Sequence, residues 1–159
     1  MTRYAAQTEV STERSRAEIE NLVTRYGATS TAFMNAPGRA LIAFEANERR
    51  IVFELPLPDR NDVRFGKTPT GREKRNPESR YAAWEQACRQ RWRALALVIK
   101  AKLEAVETGI TTFEDEFLAH IVMPDGISVG SHIKPAIAAW YASGKMRPLL
   151  PPPDKKVDR

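Results

Sequence analysis

Between Arg60 and Lys102 the chain carries twelve cations against four anions, Asp62, Glu73, Glu78 and Glu85. Twelve minus four leaves this stretch at +8, more than the +5 of all 159 residues. Positive side chains gathered this densely suit phosphate groups, which guanidinium forks and ammonium groups neutralise. Nine of the twelve fall into two sets. Arg60, Arg64, Lys67, Arg72, Lys74 and Arg75 lie in a polar segment, 59–76. Arg89, Arg93 and Lys100 recur at steps of four and seven, which puts them on one stripe of a helix. Phe65, inside the polar segment, is the candidate for stacking on an exposed base. The competing reading is a solvated basic face, because arginine favours helices and Glu85 can pair with Arg89 four residues on.

Other chemistries find less support. Glu114, Asp115 and Glu116, with Glu104 and Glu107 nearby, are the grouped carboxylates a Mg²⁺-dependent nuclease needs. Acidic residues in a first helical turn are also what the helix dipole selects. Asp59 followed by Glu73 and Lys74 departs from nuclease spacing, since adjacent residues on a strand face opposite ways. His120 and His132 are isolated, and Cys88 is the one cysteine, so neither a zinc site nor an internal disulfide is expected. Cys88 reads as core. The chain has no nucleophile elbow, phosphate loop or dinucleotide fingerprint. No catalytic residue, metal or cofactor is therefore expected.

These side chains need a scaffold, and the apolar spacing supplies one. Ser15-Arg16-Ala17-Glu18 has the capping-box pattern, and Ile19, Leu22, Val23 and Tyr26 follow on one helical face. Gly27 stands where a left-handed C-terminal cap belongs. Three short runs come next, over 28–35, 40–45 and 50–55, with Ala36-Pro37-Gly38 and Ala46-Asn47-Glu48-Arg49 between them. Alternation at Ile51, Phe53 and Leu55 makes the last a half-buried strand, and Pro56 and Pro58 end it. An antiparallel meander is expected.

The polar segment 59–76 shows neither period. A long helix then starts at Asn76-Pro77 and runs to about 108, roughly 48 Å at 1.5 Å per residue. Tyr81, Trp84, Cys88, Trp92, Leu95, Ile99, Leu103 and Val106 form its apolar seam. Its length suggests that part of it packs on later helices or on a second copy of the chain. Thr111-Thr112-Phe113-Glu114 starts a further helix with Phe117 and Ile121 on its face. Ser131 is the expected cap of the last, with Ile133, Ile137, Trp140 and Tyr141 as its buried side and Gly144 after its end.

The fold class is therefore α+β: an N-terminal helix, a three-stranded antiparallel sheet, a long helix packed on it and two shorter helices. A single domain over 12–147 is expected, with a leader at 1–11 and a Pro-rich charged tail at 148–159. The 42% apolar and 28% charged content suits a folded domain. No apolar run approaches the length needed to span a bilayer, and Met1 to Arg16 lacks a signal-peptide core. The cytoplasm of a host cell is the expected location, with no membrane partner.

The order helix, three strands, helix over about 12–108 resembles the layout of double-stranded-RNA-binding domains. That resemblance implies phosphate contacts at the start of the second helix, where Arg72-Glu73-Lys74-Arg75 stand here. The loop before that helix and the helix itself are longer than in that family, and its lysine-alanine motif is absent. Trp84-Glu85-Gln86-Ala87-Cys88-Arg89-Gln90-Arg91-Trp92-Arg93-Ala94-Leu95 through Glu114-Asp115-Glu116-Phe117-Leu118-Ala119-His120-Ile121 is similar to small proteins of tailed phages and prophages. That likeness implies a mobile-element setting and a part in DNA metabolism.

The ranking that follows is non-enzymatic nucleic-acid binding first, DNA ahead of RNA. A protein-binding module, such as an inhibitor of a host factor or an oligomeric scaffold built through the long helix, comes second. A Mg²⁺-dependent nuclease comes third.

Overall fold

The first helix, α1, spans Thr12–Arg25 in the computed structural model, which describes residues 8–68, 71 and 74–145. Its cap is Ser11, whose side chain accepts from the Arg14 amide, one turn before the expected start. Ser15 lies inside the helix with its hydroxyl fully buried. The capping-box pattern misled because its acidic member, Glu18, serves a different partner, Arg93 of the long helix. Gly27 has the positive φ, 92°, that the end of α1 requires.

Three strands follow as an antiparallel meander: β1 (Ser30–Ala36), β2 (Arg39–Ala46) and β3 (Arg49–Pro56), in that spatial order. The register pairs Phe33 with Ile42 and Ile42 with Phe53. It gathers Ala40, Ile42, Phe44, Ile51, Phe53 and Leu55 on one buried face. Asn47 and Glu48 close the second hairpin, both with positive φ (48° and 59°), as a two-residue turn matched to strand twist demands.

The long helix, α2, spans Pro77–Glu107, about 46 Å along its axis. Asn76 caps it by accepting from the Ser79 amide, as expected. Cys88, Trp92, Leu95, Ala96, Ile99 and Leu103 are its buried residues, and they join Ile19, Leu22 and Val23 of α1 and the inner face of the sheet in one core. Tyr26 of α1 donates its hydroxyl to Glu104. The seam does not hold along its full length. Trp84 is half-buried and Tyr81 is exposed, and the buried residues of α2 begin at Cys88.

The segment 59–76 is organised where described, contrary to its lack of period. Asp62 caps a 3₁₀ turn, Val63–Gly66, and Phe65 of that turn is buried. Buried Pro58 offers its carbonyl to the Trp84 indole at 2.9 Å. Arg80 donates to the Asn61 carbonyl. An antiparallel bridge pairs Lys67 with Lys74, and the Arg75 amide donates to Gly66. Single side chains and isolated backbone pairs make these ties, so periodicity does not reveal them.

The remaining helices are α3 (Phe113–Phe117), capped by Thr112, and α4 (Val129–Ser143). A 3₁₀ turn, Leu118–His120, follows α3. The cap of α4 is Ser128, accepting from the amide of Ser131, so the expected cap stands one turn too late. Its expected buried side is also corrected. Ile133 and Trp140 are half-buried, whereas Ile137 and Tyr141 are exposed, Tyr141 to 88%. The helix packs on the 3₁₀ turn through a close approach at Gly130, which places only part of its apolar surface. Gly144 ends it with φ 64°. No helix among the described residues is long and apolar enough to cross a membrane. The leader residues 1–7 and the tail 148–159 lie outside the described residues.

Candidate nucleic-acid interface

The two basic sets read from the sequence meet different fates. On α2, Arg93 is hydrogen-bonded to Glu18 of α1 and half-buried. Arg89 donates from Nε and Nη2 to the Gln86 side-chain oxygen Oε1, at 2.9 and 2.5 Å, and stands 3.9 Å from Glu85. Both serve the α1 side of the long helix. Lys100 is exposed on the same side, lining a shallow groove with Arg14, Arg25, Glu18 and Glu104. Acidic neighbours therefore offset that stripe.

The loop set is arranged differently. The 3₁₀ turn and the Lys67–Lys74 bridge fold the segment back along the outer side of α2, opposite its core face. Between them lies a groove of about 380 Å³. Arg64, Arg75 and Arg91 line it, together with Gln86 and Gln90, and among the described residues no acidic one does. Its apolar lining is Pro58, Phe65, Ala83 and Ala87. Arg64 is tied to Asp62 at 3.1 Å and lies over the Phe65 ring at 4.8 Å. Arg75 is half-buried, and neither its guanidinium nor that of Arg91 has a hydrogen-bond or ion-pair partner among the described residues. A half-buried cation without an acceptor is costly to hold, and an anion in the groove would relieve that cost. Lys67 and Lys74 are exposed beside it.

Phe65 is not available to stack on a base. Its ring is buried between the loop and α2, and it is the buried apolar side chain of the segment among the described residues, Val63 being exposed. The exposed aromatic of this region is Tyr81, with the Arg60 guanidinium 4.7 Å from its centroid and Trp84 at 5.5 Å. Arg91 is the site residue that sequence spacing missed. It lies off the Arg89/Arg93/Lys100 stripe and joins the loop cations only once the loop has folded back. Arg72 and Glu73 lie outside the described residues.

Two of the three clustered carboxylates, those of Asp115 and Glu116, are otherwise engaged. Thr112 donates to Asp115 and accepts from its amide, which closes a helix cap, and Glu116 holds Lys102 at 2.9 Å. Asp59 accepts from the Asn61 amide. Among the described residues no group of three or more His, Cys, Asp or Glu could hold a metal ion. A larger hollow, about 790 Å³, lies at the tip of the β2–β3 hairpin, where Glu45 and Arg50 neutralise each other at 2.8 Å. Cys88 is buried in the core, and burial pushes its thiol pKa up.

Comparison with protein-family models, curated proteins and solved structures finds no match to this chain.

Proposed function

We propose that the protein binds nucleic acid without catalysing a reaction on it, through the face built by the described residues of segment 58–76 and the outer side of the first half of α2. The observation that carries this reading is the groove whose described lining holds three arginines and no acid. Arg60, Arg64, Lys67, Lys74, Arg75 and Arg91 are the proposed phosphate contacts. Arg89 and Arg93 are not, because they lie on the α1 side of the helix, away from the groove, where Gln86, Glu85 and Glu18 engage them. DNA is the first polymer to test.

Filter binding at two salt concentrations tests the reading. Each phosphate contact releases counterions, so affinity must fall with salt. Six contacts imply a loss of roughly 300- to 2,000-fold between about 50 and 200 mM. Charge reversal at Arg75 and Arg91 should abolish most low-salt binding and flatten the salt dependence. No binding of DNA or RNA at the lower salt would sink the proposal.

A protein-binding module is the second reading. Ile137 and Tyr141 of α4 are exposed, and from Val129 to Ser143 the only ionisable side chains besides Tyr141 are His132 and Lys134. Such a helix is normally covered. It ranks second because the face carries nothing that selects one occupant.

A further inference from the structure

We infer that the arginine groove seats one nucleotide unit of a single strand, with the base or sugar on its apolar floor and the phosphate at its arginine rim. This rests on the nucleic-acid reading above and specifies what occupies the groove.

Two features of the groove point past simple phosphate neutralisation. The first is size. About 380 Å³ lies within the range of small-molecule sites, which begins near about 300 Å³, and a phosphate group alone would fill a small part of it. The second is the division of its lining. Arg64, Arg75 and Arg91 supply positive charge, while Pro58, Ala83 and Ala87 supply a surface with no polar side-chain atom. A surface meant only for a phosphate backbone needs no such floor.

The alanines fall on the outer side of α2, where a helix facing water would ordinarily carry charge. Ala83 and Ala87 are four residues apart, one turn, and both are half-buried. Small side chains there leave the groove open, and longer ones would close it. A planar base laid on this floor gains apolar contact while its phosphate reaches the guanidinium groups. A duplex cannot use the floor, because its base faces are stacked inside the helix. Single strands present those faces. The geometry therefore favours single strands over duplexes of the same sequence.

Fluorescence anisotropy with the full chain tests this, using a labelled single-stranded oligonucleotide and the matching duplex at one low salt concentration. The single strand should bind about tenfold tighter or better. Ala87→Trp fills the floor and keeps every charge. It should weaken single-strand binding about tenfold and duplex binding much less, so that the preference for the single strand shrinks. Ala83→Leu, a smaller change on the same floor, gives the same test should the tryptophan variant fail to fold. Adenosine monophosphate should displace the strand at lower concentration than inorganic phosphate does. Equal affinity for the two polymers, unchanged single-strand binding in a folded floor variant, or equal competition by phosphate overturns the inference while the broader reading stands. No binding of either polymer overturns both.

Discussion

The Arg93 guanidinium is held by the Glu18 carboxylate, a link from the middle of α2 to the first half of α1. Both side chains are about three-quarters shielded or somewhat less, at 25% and 32% exposure. A pair in this setting stabilises modestly, and its value appears only when both partners are varied. Glu18→Gln and Arg93→Met in a double-mutant cycle, read by urea unfolding, should show a coupling of about 1 kcal/mol. Oligonucleotide affinity of Arg93→Met should stay within about twofold of the parent, against the large loss expected at Arg75 and Arg91. A comparable loss at Arg93 would return the helical stripe to the interface.

Glu48 sits in the left-handed region at φ 59°, where a side chain costs roughly 1–2 kcal/mol relative to the right-handed form. Its carboxylate makes no hydrogen bond or ion pair among the described residues, and only its carbonyl accepts, from Arg49. Glycine at the second position of such a turn removes the strain. Glu48→Gly should therefore raise stability by about 0.5–1 kcal/mol, net of the added freedom of the unfolded chain. A fall in thermal midpoint would refute this account of the turn.

Gly130 and Ala119 meet where α4 packs on the 3₁₀ turn. A Cβ at Gly130 would stand 2.8 Å from the Ala119 carbonyl oxygen, a backbone atom that cannot swing aside. Gly130→Ala should cost about 1–3 kcal/mol, expressed first as faster amide exchange in α4. Adding Ala119→Gly should not rescue it, because the obstructing atom remains. Full rescue would show that the side chain, 3.3 Å away, was the obstacle.

His120 stacks on Phe53 at 3.9 Å and shares a contact of 3.3 Å between Nδ1 and the Val52 carbonyl. Burial lowers its pKa below the ordinary 6.5, with Lys102 and Lys134 adding to the effect and the Val52 contact opposing it. The neutral ring is thus favoured in the folded state. Above pH 6.5 both states are neutral and the contribution is complete. As pH falls below 6.5 the unfolded chain takes up a proton that the folded chain resists, and stability declines until the folded pKa is passed. Thermal midpoints measured from pH 7.5 down to about pH 5 should fall, and His120→Phe should flatten that part of the profile. An unchanged slope in the variant would place the titration elsewhere.

The α+β order was legible because each main element repeats its own period several times. Ile51, Phe53 and Leu55 alternate, and Cys88, Trp92, Leu95 and Ile99 recur at three and four, so the sheet and α2 stand where periodicity puts them. Caps were less secure. Ser11 and Ser128 lack the acidic partner that makes a capping box visible, and each precedes a serine that looks like the better start. The site was half legible. Charge density marked the loop, but which arginines converge depends on Phe65, Pro58 and the Lys67–Lys74 bridge, contacts with no period to read. The exposure of Ile137 and Tyr141 was hidden for the opposite reason, since an apolar spacing looks the same whether or not another element covers it.

Phe65 decides between two accounts of the basic loop. As a stacking residue it would contribute to affinity and little to stability. Buried at 6% exposure between the 3₁₀ turn and α2, it should instead act as the anchor that brings Arg64 and Arg75 to the groove. Phe65→Ala should then cost about 3 kcal/mol or more, the usual loss for an aromatic core truncation, and should weaken oligonucleotide binding because the loop no longer holds its arginines in place. Phe65→Leu keeps an apolar anchor of similar bulk, so its cost should stay below about 1.5 kcal/mol with affinity nearly intact. Leucine cannot stack on a base. Strong loss of affinity in Phe65→Leu without loss of stability would restore the stacking account, and the joint loss in Phe65→Ala alone supports the anchor.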